Sequence, residues 1–128
     1  MDYKKLTQKI IAAAIEVHKE LGPGLLESVY EYCLVEELTN MGLNVKNQVK
    51  LPIVYKGKTL NKEFYIDLLI EDKIVIELKA VEVILPVHEV QLVTYLKLAD
   101  KRLGLLINFN VPLLKEGIRR RVNKFIEE

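Results

Sequence analysis

Between Phe64 and Leu78 the sequence reads FYIDLLI, then EDK, then IVIEL, two near-continuous apolar runs parted by three charged residues. Apolar runs of this length, bounded by a polar break, are what a strand buried on both faces requires, since neither face is left to water. The feature limits the chain to folds whose central strands are covered by other elements on both sides. Material for that cover is present. Half of the 128 residues are apolar and 29% are charged, which predicts a packed core under a charged surface and argues against disorder. No repeat, low-complexity segment or Ser/Pro-rich linker interrupts the chain, so residues 1–128 read as one domain.

The covering elements follow from periodicity. Leu6 to Leu21 places Ile10, Ala14, Val17 and Leu21 on one helical stripe, and Gly22-Pro23-Gly24 ends it. A second helix is expected from Leu26 to Met41, with Val29, Cys33, Leu34 and Leu38 inward and Gly42 as its C-terminal cap. Val49 to Tyr55 alternates as a strand, and Lys56-Gly57-Lys58 reads as a turn. The two central strands are Phe64 to Ile70 and Ile74 to Leu78. Pro86 suits the first turn of a helix over Val87 to Leu98. Leu103 to Asn108 is a further strand, and Gly117 to Glu128 reads as a closing basic helix. The order α, α, β, β, β, α, β, α predicts an α/β (α+β) architecture, a mixed sheet flanked by helices.

Charge and cysteine content exclude several classes. Lys+Arg 19 against Asp+Glu 18 leaves a formal net charge of +1, which rules out a protein acting through a strong overall field, as a histone-like coat does. A local basic groove is still compatible with it. The single cysteine, Cys33, forbids an internal disulfide and sits at an apolar helical position, and no Cys/His set has zinc-finger spacing. The longest early apolar run, Ile10 to Ile15, is too short to cross a bilayer, and no small-residue cleavage site follows it. The expectation is a soluble, cytoplasmic protein without membrane contact.

The central hairpin carries the chemistry. With the turn centred on Asp72, Ile70 faces Ile74, Leu68 faces Ile76 and Asp67 faces Glu77. Carboxylates so opposed have Cβ atoms roughly 5 Å apart. In an apolar sheet they repel each other and lose hydration. A hard divalent cation between them would remove the repulsion. Lys79, two residues beyond Glu77, alternates onto the same face, where an ammonium can orient a water or stabilise developing negative charge. The plainer account is an ion-paired cluster in which Lys79 neutralises Glu77; the almost wholly apolar strands around the charges favour a site. Gln91 and Tyr95 stand one turn apart on the third helix, with His88 on the same stripe. An amide and a phenol so placed can hold a phosphate oxygen, although an ordinary polar helix edge has the same spacing, and for His88 that plain account is preferred. Glu27 and Tyr30 open the second helix, where Glu27 also suits the helix dipole. Basic residues gather at Arg119, Arg120, Arg121 and Lys124 and at Lys46, Lys50, Lys56 and Lys58; such runs are more often solvated faces than phosphate contacts. Tyr32, Tyr55 and Tyr65 lack the interleaving of a single-strand stacking platform. Val111 to Leu114 are expected to be exposed and open to an interface.

Gly24-Leu25-Leu26-Glu27-Ser28-Val29-Tyr30 spells GxxExxY, and it is followed by Asp67, by Glu77-Leu78-Lys79 and by Gln91-Leu92-Val93-Thr94-Tyr95. In this order the chain resembles, from about Ile10 to Val122, the GxxExxY family, a branch of the PD-(D/E)XK nuclease superfamily. The resemblance implies a restriction-endonuclease-like αβββαβ core. It implies that Asp67, Glu77 and the backbone carbonyl of Leu78 bind magnesium or manganese, that Glu27 completes the metal site, and that Lys79 is the catalytic lysine. Gln91 and Tyr95 correspond to the QxxxY element of RecB-like nucleases. Ile66 stands where many members have the proline of the name. The function expected is metal-dependent hydrolysis of nucleic acid, DNA foremost. The alternative is a non-catalytic nucleic-acid-binding or accessory module that keeps the fold. A domain this small offers little surface for specificity, so a homodimer or a larger protein partner is expected to supply the rest.

Overall fold

The computed structural model describes residues 1–62 and 64–124. Its elements are α1 (Tyr3–Leu21), α2 (Glu27–Asn40), β1 (Val45–Leu51), β2 (Val54–Tyr55), β3 (Lys58–Thr59), β4 (Phe64–Ile70), β5 (Ile74–Lys79), α3 (Pro86–Ala99), β6 (Leu103–Asn108) and, after a 3-10 turn over Leu114–Gly117, β7 (Ile118–Val122). Five strands form one sheet in the order β1-β4-β5-β6-β7, and β2 and β3 form a separate two-stranded one. Within the large sheet β5 and β6 run parallel and the other neighbours antiparallel. Helix α3 makes the crossover that a parallel pair needs.

Strands β5 and β6 and the Ile66–Ile70 part of β4 are largely buried on both faces, as the apolar runs require, while Phe64 and Tyr65 and much of the edge strands β1 and β7 are exposed. On one side Leu6, Ile10, Ala14 and Val17 of α1 and Leu34 and Leu38 of α2 pack on Leu68, Ile70, Ile74, Ile76, Leu105 and Ile107. On the other, Leu92, Tyr95 and Leu96 of α3 pack on Leu69, Val75 and Leu106. The mixed sheet flanked by helices is therefore the observed architecture.

Local differences have physical causes. In α2 the inward stripe is Tyr30, Leu34 and Leu38, while Val29 is exposed and Cys33 half-buried. Tyr30 is fully buried because its hydroxyl is satisfied at depth: it donates to the Gly22 carbonyl at 2.6 Å and accepts from the Leu25 N–H at 3.1 Å. Its ring stacks on Phe109 with centroids 4.4 Å apart. The first strand lies earlier than its alternation implied, because Pro52 has no N–H to continue a ladder. Val54 and Tyr55 belong instead to a separate hairpin, turned by Lys56 and Gly57 with φ of 49° and 78°.

The closing helix expected over Gly117 to Glu128 is overturned. Residues Ile118–Val122 form β7, antiparallel to β6, and residues 125–128 lie outside the described ones. The reason is non-local: β6 is buried throughout, and its second edge of N–H and C=O groups needs a partner that water does not supply. Leu114 is buried and Val111 packs on the same core, so of the four apolar positions expected at a surface Leu113 is the leucine left exposed.

A Cβ placed on Gly117 would lie 2.2 Å from the backbone oxygen of Asn108, while one on Gly104 would meet the end of the Leu92 side chain at 2.8 Å. Backbone cannot yield as a side-chain terminus can. Gly117→Ala is expected to cost about 1–3 kcal/mol and Gly104→Ala less, in thermal or urea melts. The reverse ranking would show that the junction before β7 is looser than this contact implies.

Candidate active site

The β4–β5 hairpin keeps the register of a turn centred on Asp72, with Ile70 opposite Ile74, Leu69 opposite Val75 and Leu68 opposite Ile76. Glu71 and Asp72 take left-handed backbone (φ 53° and 55°), and Lys73 N–H closes the turn on the Ile70 carbonyl at 2.9 Å. Past the Leu68–Ile76 pair, carboxylates replace the ladder. Leu78 N–H donates to Asp67 Oδ2 at 2.8 Å, and Asp67 N–H donates to Glu77 Oε1 at 3.2 Å. An orphaned N–H at this depth costs about 1–3 kcal/mol, so each acid satisfies a donor of the opposite strand.

A break in the neighbouring ladder governs where Asp67 lies. Asn47 pairs with Leu68 and Val49 with Ile66, but Gln48, between them and opposite Asp67, does not pair and has φ 51°. Across this point the strands change sides. Val45, Leu68 and Ile70 pack beneath α1 and α2, whereas Val49, Leu51 and Ile66 pack with the α3 layer. Asp67 sits at the change, half-buried where both cores end. Gln48 Nε2 donates to Glu31 Oε1 at 2.7 Å and lies 3.4 Å from Asp67 Oδ1.

The electrostatics tie three layers together. Glu77, 6% exposed, has its pKa pushed up to about 8, first by burial and then by the negative charge of Asp67; the Asp67 N–H and the Lys79 ammonium offset this only in part. Glu27, at the start of α2, is raised by burial and then by Asp67, and lowered by Lys79. Glu31 is raised by burial and by Asp67 against the amides of Gln48 and Asn47. Tyr95, from α3, is raised by burial and then by Glu77. Glu27, Asp67, Glu77, Lys79 and Tyr95 thus share one field, although Glu27 is 40 residues before Asp67. Tyr30 explains the arrival of Glu27, since it pins the loop from which α2 starts.

The remaining residues fall into place around this group. Gln91 Nε2 donates to Tyr95 Oη at 3.0 Å. His88 is a cap: Leu85 N–H donates to its Nδ1 at 3.0 Å, and its own N–H returns to the Leu85 carbonyl. Leu78 has its side chain in the core beneath α1 and α2. Arg119 and Arg121, on one side of β7, both pair with Glu89 of α3 instead of forming a plain solvated face. Sequence reading missed Asn108, which is 1% exposed. Its Oδ1 accepts from Val81 N–H at 3.0 Å and Asn110 N–H at 3.2 Å, and its Nδ2 donates to the Val81 carbonyl at 2.8 Å. With Phe109 N–H on the Lys79 carbonyl, this clamps the chain leaving Lys79. The one signal in the sequence was an amide ending an otherwise apolar strand.

Among the described residues no three His, Cys, Asp or Glu side chains are gathered closely enough to hold a metal ion. Asp67 and Glu77 each spend an oxygen on a backbone N–H. By chemistry the set nevertheless fits a hard divalent cation: its donors are oxygens, and the charge of Asp67 raises the pKa of Glu27 and Glu77 with Lys79 as the cation opposing it.

The sequence profile of the PD-(D/E)XK nuclease superfamily matches residues 4–121. The chain belongs to that superfamily, and its five-stranded mixed sheet between helices is the restriction-endonuclease-like fold of that group. Nucleases of the superfamily generally use divalent metals. A protein known from a crystal structure, SSO0001, is similar in fold, with a TM-score of 0.53 and 22% identity over 98% of this chain. The chain spans 61% of that structure's length. No curated protein matches. No helix among the described residues is long and apolar enough to cross a membrane.

The raised pKa of Glu77 makes stability depend on pH. The folded state holds this proton more tightly than the unfolded chain, so its stabilisation is complete below the ordinary value of 4.5 and is lost as pH rises toward about 8. Glu77→Gln keeps an oxygen for the Asp67 N–H and removes the charge. In metal-free buffer the variant is expected to melt near wild type at pH 4.5 and several degrees above it at pH 8. Parallel melting curves across that range would contradict the burial of an uncompensated acid here.

Proposed function

We propose that this chain is a metal-dependent nuclease that hydrolyses phosphodiester bonds of nucleic acid, DNA foremost. Glu27, Asp67, Glu77 and the Leu78 carbonyl hold magnesium or manganese, and Lys79, Gln91 and Tyr95 serve the reacting phosphate. The observation that carries this is that Glu27, Asp67, Glu77 and Lys79, from three separate elements, lie within electrostatic reach of one another around a buried, only partly compensated acid. Membership of the superfamily supports it. The GxxExxY motif from Gly24 to Tyr30 and the QxxxY spacing of Gln91 and Tyr95 support assignment to the GxxExxY branch with a RecB-like element.

When bound, a divalent ion supplies charge neutralisation and a more acidic water. The chain's own groups do the rest. With such an ion, Asp67 and Glu77 would present their oxygens together, and the proton of Glu77 would pass to solvent water. Lys79, fixed at the end of β5 through its carbonyl and the Asn108 clamp, offers an ammonium that orients the attacking water and stabilises charge developing on the phosphate. The Gln91 amide holds Tyr95 Oη, which leaves the phenol positioned to donate to a phosphate oxygen.

A second reading, a non-catalytic module that binds nucleic acid, is favoured by one observation: the carboxylates are engaged with backbone donors and do not converge. Incubation of the purified protein with supercoiled plasmid and labelled oligonucleotides in magnesium and in manganese separates the two. Cleavage by wild type, with a loss of about 100-fold or more in Lys79→Ala and Glu77→Gln, is the expected result. Binding without product in either metal favours the second reading. Unchanged cleavage by Lys79→Ala would remove the lysine from the mechanism.

A further inference from the structure

The β2–β3 hairpin takes no part in either core, yet it is a shaped element. Every residue from Val54 to Lys62 is exposed, including Val54 at 62% and Tyr55 at 60%. Its form is fixed by the Lys56-Gly57 turn and by Leu60 N–H donating to the Ile53 carbonyl at 2.8 Å. Two-stranded ribbons are marginal alone, and this one leaves a valine and a tyrosine exposed to water. One face of the Tyr55 ring is covered by the Lys56 ammonium, 5.5 Å from its centre.

Topology puts this arm beside the site. It leaves β1 after Leu51 and enters β4 at Phe64, and those two residues pair, so it hangs from the end of the sheet where β4 begins. Because β4 and β5 are antiparallel, β5 finishes at the same end, with Glu77 and Lys79. Charge sets the arm and the strand that leads into it apart. From Lys46 to Tyr65 the sequence holds five lysines and one acid, Glu63, a formal +4. The whole chain is +1, so the remainder carries −3. The site itself, with Glu27, Glu31, Asp67 and Glu77, repels a phosphodiester until a cation is bound, and attraction for a polyanion has to come from elsewhere.

We propose that the β2–β3 hairpin is a nucleic-acid grip in which Lys56 and Lys58 hold backbone phosphates and Tyr55 stacks on a base next to the site. The proposal rests on the nucleic-acid reading above, and the chemistry is shared by DNA and RNA. Lysines neutralise phosphates in any sequence, and an aromatic ring on an arm finds a base face wherever the strand is single.

The test is fluorescence anisotropy with labelled single-stranded DNA, duplex DNA and single-stranded RNA of one sequence, in EDTA and again in calcium. Wild type is compared with Lys56→Ala/Lys58→Ala, with Tyr55→Ala, and with Lys4→Ala/Lys5→Ala as a charge-matched control. The control lysines stand at the other end of the sheet, since Lys73, in the β4–β5 turn, donates to the Met1 carbonyl. The double hairpin variant is expected to bind about tenfold more weakly and to lose about 1.4–1.8 from the slope of log affinity against log salt. Tyr55→Ala is expected to weaken single strands about tenfold and duplex little. The control is expected to match wild type. Equal affinity and equal salt slope in the double variant would overturn the grip and leave the nuclease reading intact. Failure of wild type to bind any of the three in either buffer would overturn both.

Discussion

Strand β5 is buried from Ile74 to Leu78, and Glu77 is the charged residue within that stretch. A carboxylate in such a place finds no water on either face of the sheet, so everything near it is arranged around the cost of its charge. Its first partner is a backbone N–H from β4, and its nearest opposing cation is Lys79 on its own strand. Neither neutralises it. The same burial that creates the problem also supplies the surroundings: a strand covered on both sides has helices on both sides, and these bring Glu27 from α2 and Tyr95 from α3. The site is where two covering layers end on one buried strand.

Asp67 depends on a defect. In an unbroken strand it would share a face with Leu69 and lie in the α3 layer, a second buried acid. The left-handed backbone at Gln48 ends the regular β1–β4 ladder opposite Asp67, and the two strands change cores there. A non-glycine residue in this conformation costs on the order of 1–2 kcal/mol. Gln48 offsets part of that cost through its bond to Glu31. Local strain is thereby exchanged for an acid that reaches solvent while its neighbour, Glu77, does not.

What was legible in the sequence is what local periodicity controls. The extent of β4 and β5, their register about Asp72, the start of α3 at Pro86 and the burial of Leu34, Leu38 and Ile10 follow from spacing alone. What was not legible depends on distant partners. Tyr30 reads as a polar-tipped residue at a helix start until the Gly22 carbonyl and the Phe109 ring are brought to it. The segment IRRRV reads as a basic helix face, and becomes β7 because β6 has a buried edge to fill. Gln48 carries no glycine to announce its backbone, and Asn108 acts on Val81 across a crossover. For the site, the acids and the lysine of the hairpin were readable in one line of sequence. The arrival of Glu27 was readable only by resemblance, since no spacing argument joins α2 to β4.

The near-neutral total charge conceals a separation that bears on how such a site fills. With no cation bound, the acids hold Glu77 protonated near neutral pH, because burial and Asp67 both favour the neutral form. A phosphodiester arriving beside them adds negative charge, which favours the proton still more and disfavours a bare entry. On the nuclease reading a divalent cation held by these acids would act in the opposite sense: Glu77 would lose its proton to solvent, and the same oxygens with the ion would become a counter-charge for phosphate. On the nuclease reading, cation and nucleic acid therefore favour each other's binding, and by linkage the coupling is the same from either side. Attraction that does not depend on the cation has to be placed where the acids cannot cancel it, at a distance comparable to the screening length of about 8–10 Å. The lysines of the segment from Lys46 to Lys62 are carried on an edge strand and an exposed hairpin and not on the buried strands that hold the acids.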